Sequence, residues 1–349
     1  LMVATKFLLQ RALISLLLLV IASFVVFAGI RASVDPTARL RTSKDQNAVP
    51  REKIRLHLNE NIFKQYGRWV GELKSFNLGK GDIDRELVTT KLSRGIKNTF
   101  ELVIWGMIVA GLLGIAFGVI AAINRNNFWD FTFSGFSFLG AALPTFFFGY
   151  VLIDIFTTYL PDLFTNHLPH FLSSISNIFG SPGNARFKID SNIGGHFGRA
   201  SDGSFTLDSF ITYIRNLTMP VMVLAIQLIS TWSRYQRSSM IEALQSDYNR
   251  TALAKGMSKK RVYMKHAFRN AQLPMITIIA LDLGALMGGL IVTEFIFSLK
   301  GMGFVFINAL SAGDATTLTG WTMLVALFVV SANFFADLLY TVIDPRIRT

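Results

Sequence analysis

Apolar residues are gathered into long runs separated by basic or turn-rich stretches. The runs Ala12–Ile30, Leu102–Ile123, Phe131–Phe156, Ile211–Trp232, Leu273–Phe297 and Trp321–Val342 are each long enough for a helix to cross a bilayer core, which takes about 20 residues. Hydrocarbon offers the backbone no hydrogen-bond partner, so such runs must be helical. The pattern predicts an all-α polytopic membrane protein with six transmembrane helices. The first run exceeds the roughly 7–15 apolar residues of a secretory signal, and residues 1–30 read as an uncleaved N-terminal anchor. Trp129, Trp232 and Trp321 fall at run ends, where an amphipathic ring suits the membrane interface. Pro144 lies inside the third run and predicts a kink.

The segments between runs are less uniform. In residues 31–97 the stretch Glu60–Lys74 carries Ile62, Tyr66, Trp69, Val70 and Leu73 at helical spacing. This predicts an amphipathic helix, either packed at the interface or bundle, or simply exposed. Residues 98–349 hold the other five runs, interrupted by a Gly-, Ser- and Asn-rich insertion at 157–209 that reads as turns. Residues 233–272 hold nine Lys and Arg against Glu242 and Asp247. Basic short loops stay cytoplasmic, and long loops escape that rule. Both termini and the 233–272 loop are therefore expected inside, with 31–97 and 157–209 outside.

Composition narrows the chemistry. The chain of 349 residues is 51% hydrophobic and 16% charged, with no cysteine and a net charge of +12. Cysteine chemistry is excluded, and the positive charge sits between apolar runs, which points to membrane topology and away from nucleic acid. There is no G-x-x-x-x-G-K-[ST] phosphate loop, no H-E-x-x-H and no G-x-S-x-G. His167 and His170 are too few for a metal site. Asp154, Asp282, Glu294 and Asp337 lie in or near apolar runs, and ionisable groups there face protein or water. Glu294 is expected to line a vestibule or brace a loop. Asp282 reads equally as a substrate-pathway residue or as half of an internal ion pair. Gly114-x3-Gly118 and Gly284-x3-Gly288 predict close helix packing.

The most informative stretch is Asp247–Pro274. Ser246 or Asp247 can cap a short helix ending at Ala254 or Lys255, Gly256 suits a left-handed stop, and Ser258 can cap a second helix carrying Lys259 to Asn270. A helix–glycine–helix elbow results, small at Thr251, Ala252 and Ala254 and basic around them. It reads either as a solvated loop that fixes topology or as a docking elbow.

DYNRTALAKG followed by HAFRNAQLP resembles the cytoplasmic loop of binding-protein-dependent ABC importer permeases of the dipeptide/oligopeptide (and nickel) subfamily. Gln65–Gly81, Leu283–Leu310 with its core TEFIFSLKGMG, and Ala336–Arg348 resemble that subfamily in the same order. The resemblance implies a type I ABC importer permease fold with a cytoplasmic coupling helix, in which Tyr248, Arg250, Thr251, Ala252, Ala254, Lys255 and Gly256 contact a separate ATPase. It implies as partners a second homologous permease, two ATP-binding-cassette subunits that hold ATP and magnesium, an extracytoplasmic substrate-binding protein and the bacterial cell membrane, with no cofactor in this chain. Two departures stand out. Arg250-Thr251-Ala252 occupies the place of the wider superfamily's Glu-Ala-Ala, and Lys300 replaces a proline before the glycine. Peptide import is the leading function. Nickel import by the same architecture and a self-contained carrier or channel are the alternatives.

Overall fold

A computed structural model describes residues 2–42, 45–73, 75, 77–160, 180–181, 184–185 and 206–343. His167, His170 and most of the 157–209 insertion lie outside them. The described residues are overwhelmingly helical: α1 (Met2–Ser33), α2 (Ala48–Arg55), α3 (Ile62–Leu73), α4 (Val88–Ile123), α5 (Phe128–Ala142), α6 (Thr145–Asp154), α7 (Leu207–Gln245), α8 (Asp247–Ala254), α9 (Phe268–Leu286), α10 (Ile291–Ile296), α11 (Met302–Ala312) and α12 (Ala315–Ile343). Four stretches, Leu9–Ser33, Val88–Ile123, Ser209–Gln245 and Ala315–Leu338, are long and apolar enough to cross a membrane. The pair α5–α6 makes a fifth if taken as one span.

Six uninterrupted crossings are therefore not found among the described residues. The predicted run to Phe297 stops at Leu286, and α10 begins as a separate short helix. Gly289 causes the stop: its φ is +104°, and a Cβ there would lie 2.3 Å from the Gly303 nitrogen. Only glycine permits that conformation together with that approach. Pro144 does more than kink. Leu143 and Pro144 are extended, and the helices on either side turn through 104°. The second run also starts earlier than Leu102, because α4 is helical from Val88 and carries Glu101 inside it.

The chain forms two compact units. One draws on Leu1–Thr99, Gly284–Ile291 and Lys300–Phe335, the other on Phe100–Leu283, Val292–Leu299 and residues from Ala336 on. In the first unit α3 packs on α1: Phe24 and Phe27 meet Tyr66 at 5.2 and 5.7 Å between ring centres, and the Ser23 and Tyr66 hydroxyls are 2.7 Å apart. The amphipathic stripe thus finds a helix partner. Gly284 and Gly288 press on Ala332 and Val325 of α12, as the small-residue spacing predicted.

The same unit contains a polar clasp. Asp314 precedes α12 and accepts the Thr317 N–H at 3.0 Å, capping the helix where its unpaired amides point. It also accepts the Asp82 N–H at 3.0 Å and faces Lys91 at 3.3 Å. Asp82 in turn accepts from the Thr316 N–H and hydroxyl at 3.0 and 2.9 Å. Arg55 and Arg85 close on Glu52. Burial by itself would raise the Asp314 pKa, but the bonds from Asp82 and Thr317 and the Lys91 charge outweigh it and hold the carboxyl below its ordinary value. Burial dominates at Asp82 and raises it.

The second unit is built around α7. Gly118 of α4 lies where a Cβ would meet the Ser233 carbonyl and the Gln236 side chain at 2.6 Å, and Gly114 packs against Trp232. The Ser137 and Ser233 hydroxyls of α5 and α7 are 2.6 Å apart. Small residues let these helices approach, and their hydroxyls stay paired.

Candidate functional site: the basic elbow and its base

The elbow forms as the residues dictate. Ser246 has extended backbone and starts α8, but its hydroxyl donates back to the Ala243 carbonyl at 2.5 Å instead of capping forward. Asn249 fixes the helix: it is fully buried and its Nδ2 donates to the same carbonyl at 2.5 Å. Gly256 follows at φ +78° with open space around it, and the Met257 N–H reaches back to the Ala252 carbonyl. This is a left-handed helix stop. Beyond it, Lys259–Arg261 and a π-helical turn, Val262–Ala267, lead directly into α9. The second arm is therefore not a separate helix ending at Asn270, and Pro274 is inside α9.

Of the residues singled out from sequence, Tyr248, Arg250, Thr251, Ala254, Lys255 and Gly256 are exposed on this elbow, and Ala252 is half-buried. Leu253 is exposed beside them. Two large apolar side chains, Tyr248 and Leu253, thus face outward among basic groups. Beneath the elbow, Ala122, Met240, Ala243, Ala267 and Ala271 form a tight core with Val119 and Phe268 packed on it. Alanine at four of five positions lets the ends of α4, α7 and α9 converge.

An ion pair between a buried carboxylate and a half-buried arginine stiffens this base. Arg237 Nε and Nη2 donate to Asp130 Oδ1 and Oδ2 at 2.6 and 2.8 Å, and the Asn126 N–H and Ser134 hydroxyl complete the carboxylate's partners. A two-point pair of this kind fixes angle as well as distance. In the sequence Arg237 is one of nine positive charges in its loop, and nothing there marks Asp130 as its partner. A carboxylate at the start of an apolar helix was the available signal.

The two acidic candidates do not join the elbow. Asp282 is half-buried, and its Oδ2 accepts the Trp232 indole N–H at 2.7 Å. Trp232 is fully buried, and α7 continues past it to Gln245, so the helix does not end at this residue as the apolar run does. Trp129 is exposed as expected, and Trp321 is half-buried and donates to the Met302 carbonyl. Glu294 is fully buried. Asp154 is exposed and Asp337 half-buried. Glu101, unnoticed in the sequence, is buried and engages Tyr213, which accepts the Trp105 indole N–H at 2.9 Å. Lys300 keeps a defined turn without proline: its carbonyl accepts from Asn98 Nδ2 at 2.9 Å. Among the described residues no group of three or more metal-ligating side chains occurs.

The described residues thus make a largely helical protein with four or five apolar stretches long enough to cross a membrane. Residues 114–349 match the family described as binding-protein-dependent transport system inner membrane component, and the chain belongs to that family. It is similar to the di/tripeptide transport system permease protein DppB of Pseudomonas aeruginosa, 35% identical with 84% of this chain and 83% of that protein covered. It is likewise similar to the dipeptide transport system permease protein DppB of Escherichia coli K12, at 34% over 84% and 83%. The oligopeptide transport system permease protein AppB of Bacillus subtilis is 31% identical over 98% and 99%.

Proposed function

We propose that this chain is one of two permease subunits of an ATP-driven importer of short peptides. α9 and α10, broken at Gly289, together serve as the sixth crossing of a type I permease. Both termini and the elbow lie in the cytoplasm, and residues 31–97 lie outside. Tyr248, Leu253 and the basic residues around them seat in a groove on a separate ATP-hydrolysing subunit. A second, homologous permease completes the pathway, and an external binding protein delivers the peptide. The family supports the partners, and the relatives' names support the cargo.

The observation that carries this reading is the pair of outward apolar side chains on a helix whose other face is pinned by Asn249. A loop that merely fixed topology would need neither. Motion of an attached ATPase, applied to α8, passes through the alanine core to α4, α7 and α9. The permease contributes alternative packing and no bond chemistry.

The test is uptake of a labelled dipeptide, with nickel run in parallel, by proteoliposomes containing this chain, its partner subunits and the binding protein. Leu253→Asp is expected to cut ATP-driven uptake about tenfold or more, the loss of one interface anchor, without lowering the amount of chain in the membrane. Equal uptake by this chain without ATPase subunits would sink the proposal, and nickel uptake without peptide uptake would move the cargo.

A further inference from the structure

Arg234 sits on α7, three residues before the Arg237 that pairs with Asp130. Unlike Arg237, it has no ion-pair partner among the described residues. Its Nε donates to the Ser230 carbonyl at 2.9 Å, and its guanidinium carbon lies 5.5 Å from the centre of the Phe138 ring on α5. Those two contacts hold the group in place. The side chain is exposed, and its terminal nitrogens keep their donors for something else.

Its depth is costly for an unpaired charge. At 1.5 Å per residue, Arg234 lies about 16 Å along α7 from Gln245, and Phe138 about 13 Å along α5 from the exposed Trp129. Half of a bilayer's hydrocarbon core is about 15 Å. An arginine in lipid turns its head toward the nearer interface. Arg234 reaches the other way, one turn further from the elbow.

The second observation is the face it belongs to. Gln227, Thr231, Arg234, Ser238, Glu242 and Gln245 recur at spacings of three and four, which makes one stripe along α7. All are polar and all are exposed or half-buried, whereas Trp232, Ser233, Gln236 and Met240 on the other face are buried. Lipid against this stripe would meet a charge it cannot solvate. Close helix packing favours small residues, and a guanidinium stands at the centre here. Water and a passing anionic solute satisfy it.

We infer that this face of α7 lines the transport path and that Arg234 binds the C-terminal carboxylate of the peptide in transit. The inference rests on the peptide-import reading above. A guanidinium fork matches the two oxygens of a carboxylate. Linear peptides with a free C-terminus share that group whatever their side chains, so one fixed cation serves a mixed cargo. Water around the exposed pair keeps the contact weak enough for release.

The test uses proteoliposomes of the full complex with its binding protein, and compares a labelled dipeptide with its C-terminal amide. Arg234→Gln should cut ATP-driven uptake of the free acid about tenfold, by loss of a charge-assisted contact, and change uptake of the amide less than about twofold. Arg234→Lys should recover part of the loss. Equal loss for acid and amide, the result of an ion pair with the partner permease or of a structural role, overturns the inference. So does no loss, the result for an arginine on a lipid phosphate.

A second measurement needs no uptake. The chain has no cysteine, so label on Thr231→Cys or Ser238→Cys, read on this chain after denaturing separation, reports one site. Both should react in the assembled complex with a water-soluble anionic thiosulfonate, about tenfold faster with Arg234 than with Arg234→Gln. Millimolar dipeptide should slow that labelling by about half, as for a millimolar site, and its amide should not. No labelling, or labelling indifferent to Arg234 and to the dipeptide, overturns the site. If the binding protein rejects the amide, the labelling decides. A wild-type complex that imports no peptide would remove the importer reading, while the labelling still decides whether Arg234 faces an aqueous path.

Discussion

The clasp and the elbow hold their shapes by opposite means. In the clasp, Asp82 and Asp314 are buried and almost every polar atom meets another side chain or a helix amide, so the order is carried by charge. In the elbow nearly every charge faces water, and the order is carried by backbone: the left-handed Gly256, the Asn249 anchor and an alanine core below. A closed polar cluster resists change, because breaking one bond strands its partners. An exposed elbow on a small-residue base leaves its outer face free to meet another surface.

The contrast can be tested from the clasp side first. Asp314→Ala removes the cap of α12 and strands the Asp82 N–H, while Lys91 keeps Asp84 at 2.7 Å, and it should cost about 3 kcal/mol of stability, read as a lower unfolding midpoint in detergent. Arg237→Met, beneath the elbow, leaves the Asp130 carboxylate buried without its main partner. The expected cost is about 2 kcal/mol, below the usual value for a buried pair because a third of the Arg237 side chain is exposed.

Acid should separate the two regions. The bond from Arg55 holds the Glu52 carboxyl below its ordinary value, as the bonds to Asp314 hold that group down. Ionised, both favour the folded clasp. Their contribution is full above the unfolded values near 4 and is lost as pH falls through the lower folded ones. Asp82 runs the other way: burial raises its pKa, so its ionisation costs stability as pH rises through the folded value, and acid returns part of that. Protection of the Thr316 and Thr317 amides from hydrogen exchange, corrected for intrinsic rates, should therefore fall on acidification below about pH 4, while amides of α8 change little. Equal loss in both regions would remove the distinction. The smallest effect is Gly256→Ala, which meets no neighbour and should cost about 1 kcal/mol from backbone strain alone.

Much of this was legible in the residues, for specific reasons. Gly256 could be read because a left-handed stop needs a residue without Cβ, and the long runs because hydrocarbon enforces helix. Partnership could not be read. Asp282 signals its own cost in lipid, but Trp232, fifty positions away, satisfies it only once α7 and α9 have packed. Asp130 and Arg237 are hidden in the same way. Pro144 announces a missing N–H, not a turn of 104°. Gly289, next to the Gly284-x3-Gly288 packing motif, carries no signal of its own in the sequence, and only the closeness of Gly303 shows why the helix ends there.

The π-helical turn at Val262–Ala267 has a consequence of its own. Such a turn holds one residue more than an α-helical turn, so the helix leading into the membrane stores a single residue of slack. Moving that slack along the axis would rotate whatever lies between its old and new positions by about 100° and shift it about 1.5 Å. If α8 seats on an ATPase as proposed, the joint below it would work as a screw thread, turning a small push on α8 into a change of which face α9 presents.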